Sequence, residues 1–268
     1  MKKNFLTLSD LSGDEIEEIF ELSREIKERS LKGGSFHPLL GKSLALLFEK
    51  PSLRTRVVCE LGMRQLGGEV VYLGPQEVGL GQRESVEDCG RVLSGYFNGI
   101  VTRTYSHNTL LRLANSASVP VINGLSDLYH PCQVLSDLFT IKEKFGRLEG
   151  LKLAFIGDGN NVCHSLIIGS SIMGMEIRVA APKGYWPKQD IIKEKGAIIT
   201  PSPEKAVKGV DIIYTDTWIS MGQEKEAGKR RKAFRSYQVN TKILNLAKRE
   251  AVVMHCLPAR RGEEITDD

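Results

Sequence analysis

One segment of the chain combines hydroxyl and cationic side chains at the point where an apolar run gives way to an amphipathic one. It covers residues 48–56 and reads FEKPSLRTR. Ser52 and Thr55 can donate hydroxyl hydrogen bonds, and Arg54 can form two charge-assisted bonds with phosphate oxygens. Helix N-termini attract anions through unpaired N–H groups and the helix dipole. The segment therefore predicts an anion site, although an ordinary Ser N-cap followed by solvent-facing arginines fits it equally well.

Further polar strings each follow a short apolar run. His and Gln side chains can hydrogen-bond a carbonyl oxygen and an amide, Asp offers a fixed negative charge, and Cys offers a thiol. A purely structural role is open for each: an edge cation, a helix beginning with Pro, a tight turn, an acidic turn or a buried cysteine. The residues concerned are Arg103, His130, Gln133, Asn160, Asn161, Asp216, His255 and Cys256.

Residues 157–162 read GDGNNV, which matches half of a dinucleotide-binding fingerprint. Val162 occupies the position of the third glycine, so the signal is weak and a tight strand-to-helix turn explains the glycines as well. His255 and Cys256 would form a metal pair without evident partners. We therefore expect no metal and no cofactor.

The apolar pattern places these strings at the ends of predicted strands. A capping box of Ser12 and Glu15 opens an amphipathic helix over residues 13–31, which Gly33 and Gly34 end. Short apolar segments then alternate with helical runs. We predict strands at 43–48, 69–73, 99–105, 120–125, 151–156, 176–181, 197–200, 211–215 and 251–255, and helices from 52, at 85–97, at 109–117 and at 132–145.

This alternation indicates parallel sheets with right-handed crossovers. The predicted fold class is α/β, with two doubly wound parallel-sheet domains, and a polar turn at 146–150 divides them into residues 1–148 and 149–268. Ligands of such sheets bind beyond the carboxyl ends of the strands, where each polar string lies.

The composition narrows the class of protein. The chain is 41% hydrophobic and 26% charged with a net charge of +4, and its basic residues form no aromatic-interleaved cluster. No apolar run approaches the roughly 18 to 20 residues that span a bilayer. Its five cysteines are scattered, without a C-x-x-C pair. We expect a cytoplasmic protein with reduced thiols and small anionic ligands, binding neither nucleic acid nor membrane.

Together the strings resemble the motifs of the aspartate/ornithine transcarbamoylase family, on its ornithine-specific branch. The family's S-T-R-T-R is similar to SLRTR at 52–56, H-P-x-Q to HPCQ at 130–133, and H-C-L-P to HCLP at 255–258. Asp216 followed by SMG at 220–222 resembles the ornithine-binding pattern, and Asn161 matches the asparagine that holds the amino-acid end of ornithine.

The resemblance implies transfer of the carbamoyl group of carbamoyl phosphate to the δ-amine of L-ornithine, by a homo-oligomer built on a trimer. It assigns catalytic roles to Arg103, His130 and Cys256, the last as a candidate proton acceptor that competes with the departing phosphate. The implied carbamoyl-phosphate residues are Ser52, Leu53, Arg54, Thr55, Arg103, His130, Gln133, Cys256 and Leu257. The implied ornithine residues are Asn161, Asp216, Ser220, Met221, Cys256 and Leu257.

Three departures from the family pattern accompany the resemblance. Leu53 replaces a usual Thr, so we expect the loss of one hydroxyl contact while the backbone N–H remains. Gly79 stands at a position where relatives frequently carry Gln, and Gln82 is out of register. Relatives also continue beyond the equivalent of Asp268 into a final helix with another phosphate-facing arginine. Another amine acceptor, such as an acylated ornithine or putrescine, and a dinucleotide-dependent oxidoreductase are the alternatives.

Overall fold

The computed structural model describes residues 3–34, 36–220 and 222–268. Its α-helices are α1 (Gly13–Leu31), α2 (Leu53–Gln65), α3 (Pro75–Val78), α4 (Val86–Tyr96), α5 (His107–Ser116), α6 (Pro131–Phe145), α7 (Asn161–Ile172), α8 (Gln189–Lys195), α9 (Pro203–Val207), α10 (Ala227–Phe234) and α11 (Thr241–Leu244). Its strands are β1 (Ser43–Phe48), β2 (Glu69–Leu73), β3 (Gly99–Arg103), β4 (Val121–Leu125), β5 (Lys152–Ile156), β6 (Glu176–Ala180), β7 (Ile198–Thr200), β8 (Ile212–Thr215) and β9 (Val252–His255).

These elements confirm the predicted α/β class. All nine predicted strands are present, with ends within two residues of the predicted ones, and every strand pair is parallel. The capping box of Ser12 and Glu15 opens α1 as expected. The short helix α3 was not predicted. Among the described helices, none has both the length and the apolar character needed to cross a bilayer.

The chain divides into two compact units, residues 1–135 and 136–268, and the division falls within α6. The first unit contains a four-stranded sheet in the order β2-β1-β3-β4. Both faces of β1 are covered: Ala45 and Leu47 pack into one apolar cluster, and Leu46 and Phe48 into another. This two-sided burial explains why β1 is a continuous apolar run and not an alternating one. The strand order reverses between β1 and β3, so their carboxyl ends flank a topological switch point.

The second unit contains a five-stranded sheet in the order β7-β6-β5-β8-β9. The central strand β5 is fully buried from Leu153 to Ile156. The helix that follows it, α7, is buried continuously from Val162 to Ser170, which explains its apolar character on all sides. The strand order reverses between β5 and β8, so the segments after these two strands meet at the switch point of this unit.

Candidate functional site

The N-terminus of α2 follows β1 at the switch point of the first unit. Ser52 is the N-cap residue, and its Oγ accepts a hydrogen bond from the N–H of Thr55 at 3.3 Å. The first turn of α2 contains no acidic residue that would neutralise the helix dipole. The predicted N-cap is thus confirmed, and the same arrangement leaves an electropositive helix start.

Arg103 ends β3, the strand next to β1, and only 8% of the residue is exposed. Its Nη1 donates to Oγ1 of Thr55 at 2.9 Å, so the structure brings these two predicted residues together. No hydrogen-bond acceptor among the described residues faces its Nε. Burial, together with the charge of Arg54, lowers the pKa of Arg103 to about 10. The buried charge of Arg103, next to the charge of Arg54, favours a bound anion.

His130 precedes α6, whose first residue is Pro131, as the HPCQ string predicts. Burial, together with the charge of Arg103, lowers the pKa of His130 to about 3. His130 is therefore a neutral imidazole near Arg103. Gln133 lies half-buried in the first turn of α6.

Sequence reasoning missed Lys50 as a member of this cationic cluster. It is 8% exposed, and its Nζ lies 4.6 Å from the centroid of the Tyr105 ring. Burial and the charge of Arg103 lower the pKa of Lys50. The signal was present, since Lys50 stands within the FEKPSLRTR segment, but the pattern alone did not indicate its burial.

Asp216 follows β8 at the switch point of the second unit and is 7% exposed. Its Oδ2 accepts a hydrogen bond from Nδ2 of Asn160 at 2.7 Å, and its Oδ1 accepts one from the thiol of Cys256 at 3.1 Å. Segments after β5, β8 and β9 therefore converge on one buried carboxylate.

Asn160 was left open as a ligand residue, but its side chain is already engaged. Its Oδ1 caps α7 by accepting the N–H groups of Val162 and Cys163, while its amide holds Asp216. Asn161, the residue assigned by resemblance, begins α7, and its Oδ1 also accepts the N–H of Val162 at 2.9 Å. Asn160 thus holds Asp216 in place, a contact that the resemblance did not indicate.

The glycines of the GDGNN turn serve the packing of the chain itself. A Cβ atom on Gly159 would lie 2.2 Å from the backbone nitrogen of Pro187, and the N–H of Gly159 donates to the carbonyl of Tyr185. The backbone of Trp186 and Pro187 occupies the space next to Gly159 that a dinucleotide pyrophosphate would need. The tight-turn interpretation accounts for Gly159, and nothing in the turn favours the oxidoreductase alternative.

His255 and Cys256 have the third neighbour that the sequence did not reveal. Asp216, His255 and Cys256 each place one potential metal-ligating atom within 4.8 Å of the others. These atoms already form hydrogen bonds: Nδ1 of His255 accepts the N–H of Leu257 at 2.8 Å, and Nε2 faces Oε1 of the buried Glu264 at 3.1 Å. A cation there would compete with the hydrogen bonds that His255 and Asp216 already make.

Cys256 is a neutral thiol in this arrangement. Burial and the neighbouring Asp216 carboxylate raise the pKa of Cys256 above the usual thiol range. Leu257, the next residue, has a φ of +58°, which is uncommon for a residue with a side chain. The hydrogen bond from its N–H to His255 holds this conformation.

The sequence also drew attention to Ser220, Met221 and Gly79. The N–H of Ser220 donates to Oε1 of Gln223 at 3.0 Å, whereas Met221 lies outside the described residues. Gly79 adopts a left-handed conformation, with a φ of +54°, at the end of α3. A Gln at this position would be strained, so the local turn explains the glycine.

Fold and site together define a two-domain α/β protein with a cationic cluster at the start of α2 at one switch point and a buried carboxylate with polar neighbours at the other. Family models agree with this description. Residues 3–143 match the carbamoyl-phosphate-binding domain of aspartate/ornithine carbamoyltransferases, and residues 149–268 match the aspartate/ornithine-binding domain. The chain belongs to the aspartate/ornithine carbamoyltransferase family.

Relatives within this family are similar over the whole chain. The chain is 51% identical to an ornithine carbamoyltransferase of Methanocorpusculum labreanum and 49% identical to one of Methanosarcina acetivorans, in both cases over 100% of this chain and 90% of the relative. The solved ornithine carbamoyltransferase from Pyrococcus furiosus superimposes with a TM-score of 0.95 at 47% identity, covering 99% of this chain and 88% of that one. The resemblance inferred from the motifs is confirmed.

Proposed function

We propose that this protein transfers the carbamoyl group of carbamoyl phosphate to the δ-amine of L-ornithine, giving L-citrulline and phosphate. The observation that carries the proposal is the buried Arg103 bonded to Thr55 at the start of α2, with the charge of Arg54 nearby. The family model and the named relatives support the same reaction. The reaction belongs to arginine metabolism.

Residues 1–148 form the carbamoyl-phosphate domain in this proposal. The phosphate accepts hydrogen bonds from Ser52, the N–H of Leu53, Arg54 and Thr55, and Arg103 neutralises its charge. Arg103, Thr55 and His130 stabilise the oxyanion that develops as the carbonyl carbon becomes tetrahedral. A neutral His130 is suited to this role because its N–H can donate without adding a charge that repels Arg103. Gln133 and the carbonyl of Leu257 orient the carbamoyl nitrogen.

Residues 149–268 bind ornithine. The Asp216 carboxylate is the natural partner of an ammonium group, and Asn161, Ser220 and Met221 bind the α-amino and carboxylate groups together with it. Leu257 and Cys256 border this site. Since Asp216 already accepts bonds from Asn160 and Cys256, ornithine binding exchanges one neutral donor for a charged one, which strengthens the hydrogen bond.

The δ-ammonium of ornithine loses one proton to solvent on becoming the nucleophilic amine. It loses a second proton as the nitrogen bonds to the carbonyl carbon and the bond from that carbon to the phosphate oxygen breaks. A thiol with a raised pKa is a poor proton acceptor at neutral pH, so Cys256 acts as a hydrogen-bond donor to Asp216 in our proposal. The departing phosphate takes this second proton and leaves as the hydrogen phosphate dianion. Cys256 remains a predicted catalytic residue in this donor role.

The oligomer that we propose is a trimer or a multiple of it, located in the cytoplasm. Helix α2 has no buried residue and presents an exposed apolar stripe of Leu53, Val57, Val58 and Leu61. Such a stripe on a structured helix favours an interface with a second copy. Sedimentation of the Val58→Glu variant should show smaller species than the parent chain, whereas an unchanged mass would remove α2 from the interface.

All five cysteines are free thiols, as a reducing compartment would keep them.

Citrulline formation tests the proposed reaction directly. Purified protein is incubated with carbamoyl phosphate and, in parallel, with ornithine, N-acetylornithine, putrescine or aspartate. The carbamoylated product of each amine is measured, which for ornithine is citrulline. We expect turnover with ornithine at least about 100-fold above that with any other amine, since the charged site of Asp216 rejects acceptors that lack the matching group. Calorimetric titration with carbamoyl phosphate alone tests the anion site separately. Binding without citrulline formation would contradict the proposed reaction.

A further inference from the structure

Helix α10 is strongly basic, yet only one of its cations is buried. Lys229, Arg231 and Lys232 are exposed, whereas Arg230 is 4% exposed. Burying a guanidinium is costly unless its donors are used. The hydrogen-bond partners of Arg230 therefore indicate which parts of the second unit this buried cation holds in place.

Arg230 holds two loops at once. Its Nε donates to the carbonyl oxygen of Trp218 at 2.6 Å, and its Nη2 donates to Oδ2 of Asp158. The guanidinium carbon lies 4.9 Å from the centroid of the Tyr185 ring and 5.6 Å from that of Phe234, so two aromatic faces flank the cation. The planar fork of an arginine can serve both acceptors in fixed directions, which a lysine cannot do.

Both partners of Arg230 are next to groups of the acceptor site. Trp218 follows Asp216 by two residues and precedes Ser220 by two. The carbonyl oxygen of Asp158 accepts the N–H of Asn160, whose side chain in turn bonds Asp216. Arg230 therefore connects the segment after β5 with the segment after β8, and these two segments carry the polar groups at the switch point.

We propose that Arg230 is a positioning residue for the acceptor site, which fixes the segments 157–161 and 216–220 in the spacing that ornithine requires. The inference rests on the proposed function. It adds a residue that touches no substrate and acts through Asp158 and Trp218. The other charged groups facing this pair are Asp216 and Glu226, the latter 3.8 Å from Nη1 and 58% exposed.

Loss of the guanidinium leaves two buried acceptors without a donor. Burial already raises the pKa of Asp158 to about 6 in the presence of Arg230, so the carboxylate depends on this partner to remain charged at neutral pH. Without it, Asp158 takes up a proton or turns toward solvent, and the Trp218 carbonyl loses its bond. Either response displaces the acceptor loop and leaves the anion site of the first unit unchanged.

The test compares Arg230→Met with Arg231→Met, a matched control on the same helix that removes an exposed arginine. For Arg230→Met we expect the KM for ornithine to rise about 10-fold to 100-fold, as for the loss of hydrogen bonds to a buried charge. The Kd for carbamoyl phosphate should change less than twofold, and kcat less than about tenfold. Arg231→Met should have the same KM for ornithine, Kd for carbamoyl phosphate and kcat as the parent chain. An unchanged KM for ornithine in a folded Arg230→Met protein would overturn the inference.

Arg230→Lys provides a second variant that keeps the positive charge, should Arg230→Met fail to fold. It should still raise the KM for ornithine, because the ammonium cannot bond both acceptors in the geometry of the fork. A parent-like KM in Arg230→Lys would overturn the proposed positioning by two directed bonds.

Hydrogen exchange of the substrate-free proteins tests the inference independently of any reaction. In Arg230→Met or Arg230→Lys we expect faster exchange in peptides covering 157–161 and 216–220, and parent-like exchange in the first unit and in Arg231→Met. If the parent chain forms no citrulline, the proposed function fails, and this exchange pattern still supports the positioning role. Exchange that is unchanged in both segments, or that increases throughout the second unit, would overturn the role of Arg230.

Discussion

The two switch points of this protein differ in how their polar groups are satisfied before any substrate binds. In the first unit, Arg103 has an Nε without an acceptor among the described residues, and burial together with the charge of Arg54 lowers its pKa. In the second unit, Asp216 is buried but already accepts bonds from Asn160 and Cys256. The first site is electrostatically strained, whereas the second is internally hydrogen-bonded.

This difference indicates how each site obtains its affinity. Repulsion from Arg54 and the Nε of Arg103, which has no acceptor among the described residues, raise the free energy of this site, so we expect an anion to bind strongly by relieving both. At Asp216 a ligand must replace existing bonds, so only a ligand with a charged donor in the right place gains free energy. We therefore expect the anion site to supply most of the affinity and the carboxylate site to supply the selection among amines.

The largest effect should follow from removing the cation of the strained site. Arg103→Met should lower kcat/KM by at least about 1000-fold, since the group both neutralises phosphate and stabilises the oxyanion. The melting temperature should stay the same or rise, because an uncompensated buried charge has been removed. Citrulline kinetics and a thermal melt measure the two quantities.

Arg91→Met is the matched control for Arg103→Met. Arg91 is an exposed residue of the same unit, paired with Asp88 on α4, and its loss should change neither quantity appreciably. Wild-type-like turnover of Arg103→Met at saturating substrates would remove Arg103 from its assigned role, and a large drop in its melting temperature would contradict the description of a strained site.

The next effect concerns the internally bonded site. Asp216→Asn keeps the shape of the side chain but removes its charge, so the KM for ornithine should rise about 100-fold, as for loss of a charge-assisted bond. The Kd for carbamoyl phosphate, measured by calorimetry, should remain within a factor of two. Asp190→Asn, which changes an exposed carboxylate on α8, serves as the control. An equal loss of affinity for both substrates would refute the division of labour between the two sites.

The sequence predicted the first site better than the second, for a physical reason. Arg103 ends β3 and Thr55 follows the neighbouring parallel strand β1. Side chains at such strand ends meet once the strands are adjacent, so position along the chain was enough to predict their contact. Their polar side chains stand after apolar runs, where the sequence alone makes them conspicuous.

The second site depends on contacts between side chains distant in sequence, which no local pattern specifies. Asn160 bonds Asp216 across 56 positions, and Arg230 bonds Asp158 across 72. Arg230 stands in a run of exposed cations, where burial of one member depends on how α10 packs. Similarly, the partner that completes the group of His255 and Cys256 is Asp216, which the sequence places far from both.

The rigidity of the internally bonded site can be tested at Gly159. Gly159→Ala places a methyl group against the backbone of Trp186 and Pro187, which cannot move as a flexible side chain would. We expect a loss of about 2 to 3 kcal/mol in unfolding free energy, typical of overpacking, together with a higher KM for ornithine. Gly228→Ala, at a helical position of α10 with open space around the added methyl group, should instead stabilise by about 0.5 to 1 kcal/mol. An unchanged unfolding free energy of Gly159→Ala would show that the backbone of residues 182–188 moves away from the added methyl group, and that the turn is less rigid than its contacts indicate.

The smallest expected effect is the contribution of His130, a residue of the strained site, to the pH dependence of the unfolding free energy. Its folded-state pKa is about 3, below the ordinary value of 6.5, so the unfolded chain binds a proton more readily than the folded one. The stabilising contribution is complete above pH 6.5 and decreases as the pH falls toward 3. Between pH 6.5 and pH 5 we expect His130 to account for about 1 to 2 kcal/mol of the decrease in unfolding free energy.

Urea titrations of the parent chain and of His130→Asn at pH 7.5 and pH 5 measure this, with His37→Asn as a control at an exposed histidine. If both variants keep the parent's pH slope, His130 is not held neutral by Arg103 and by burial. The positive charge of the empty anion site would then be larger than the one that we assign to it.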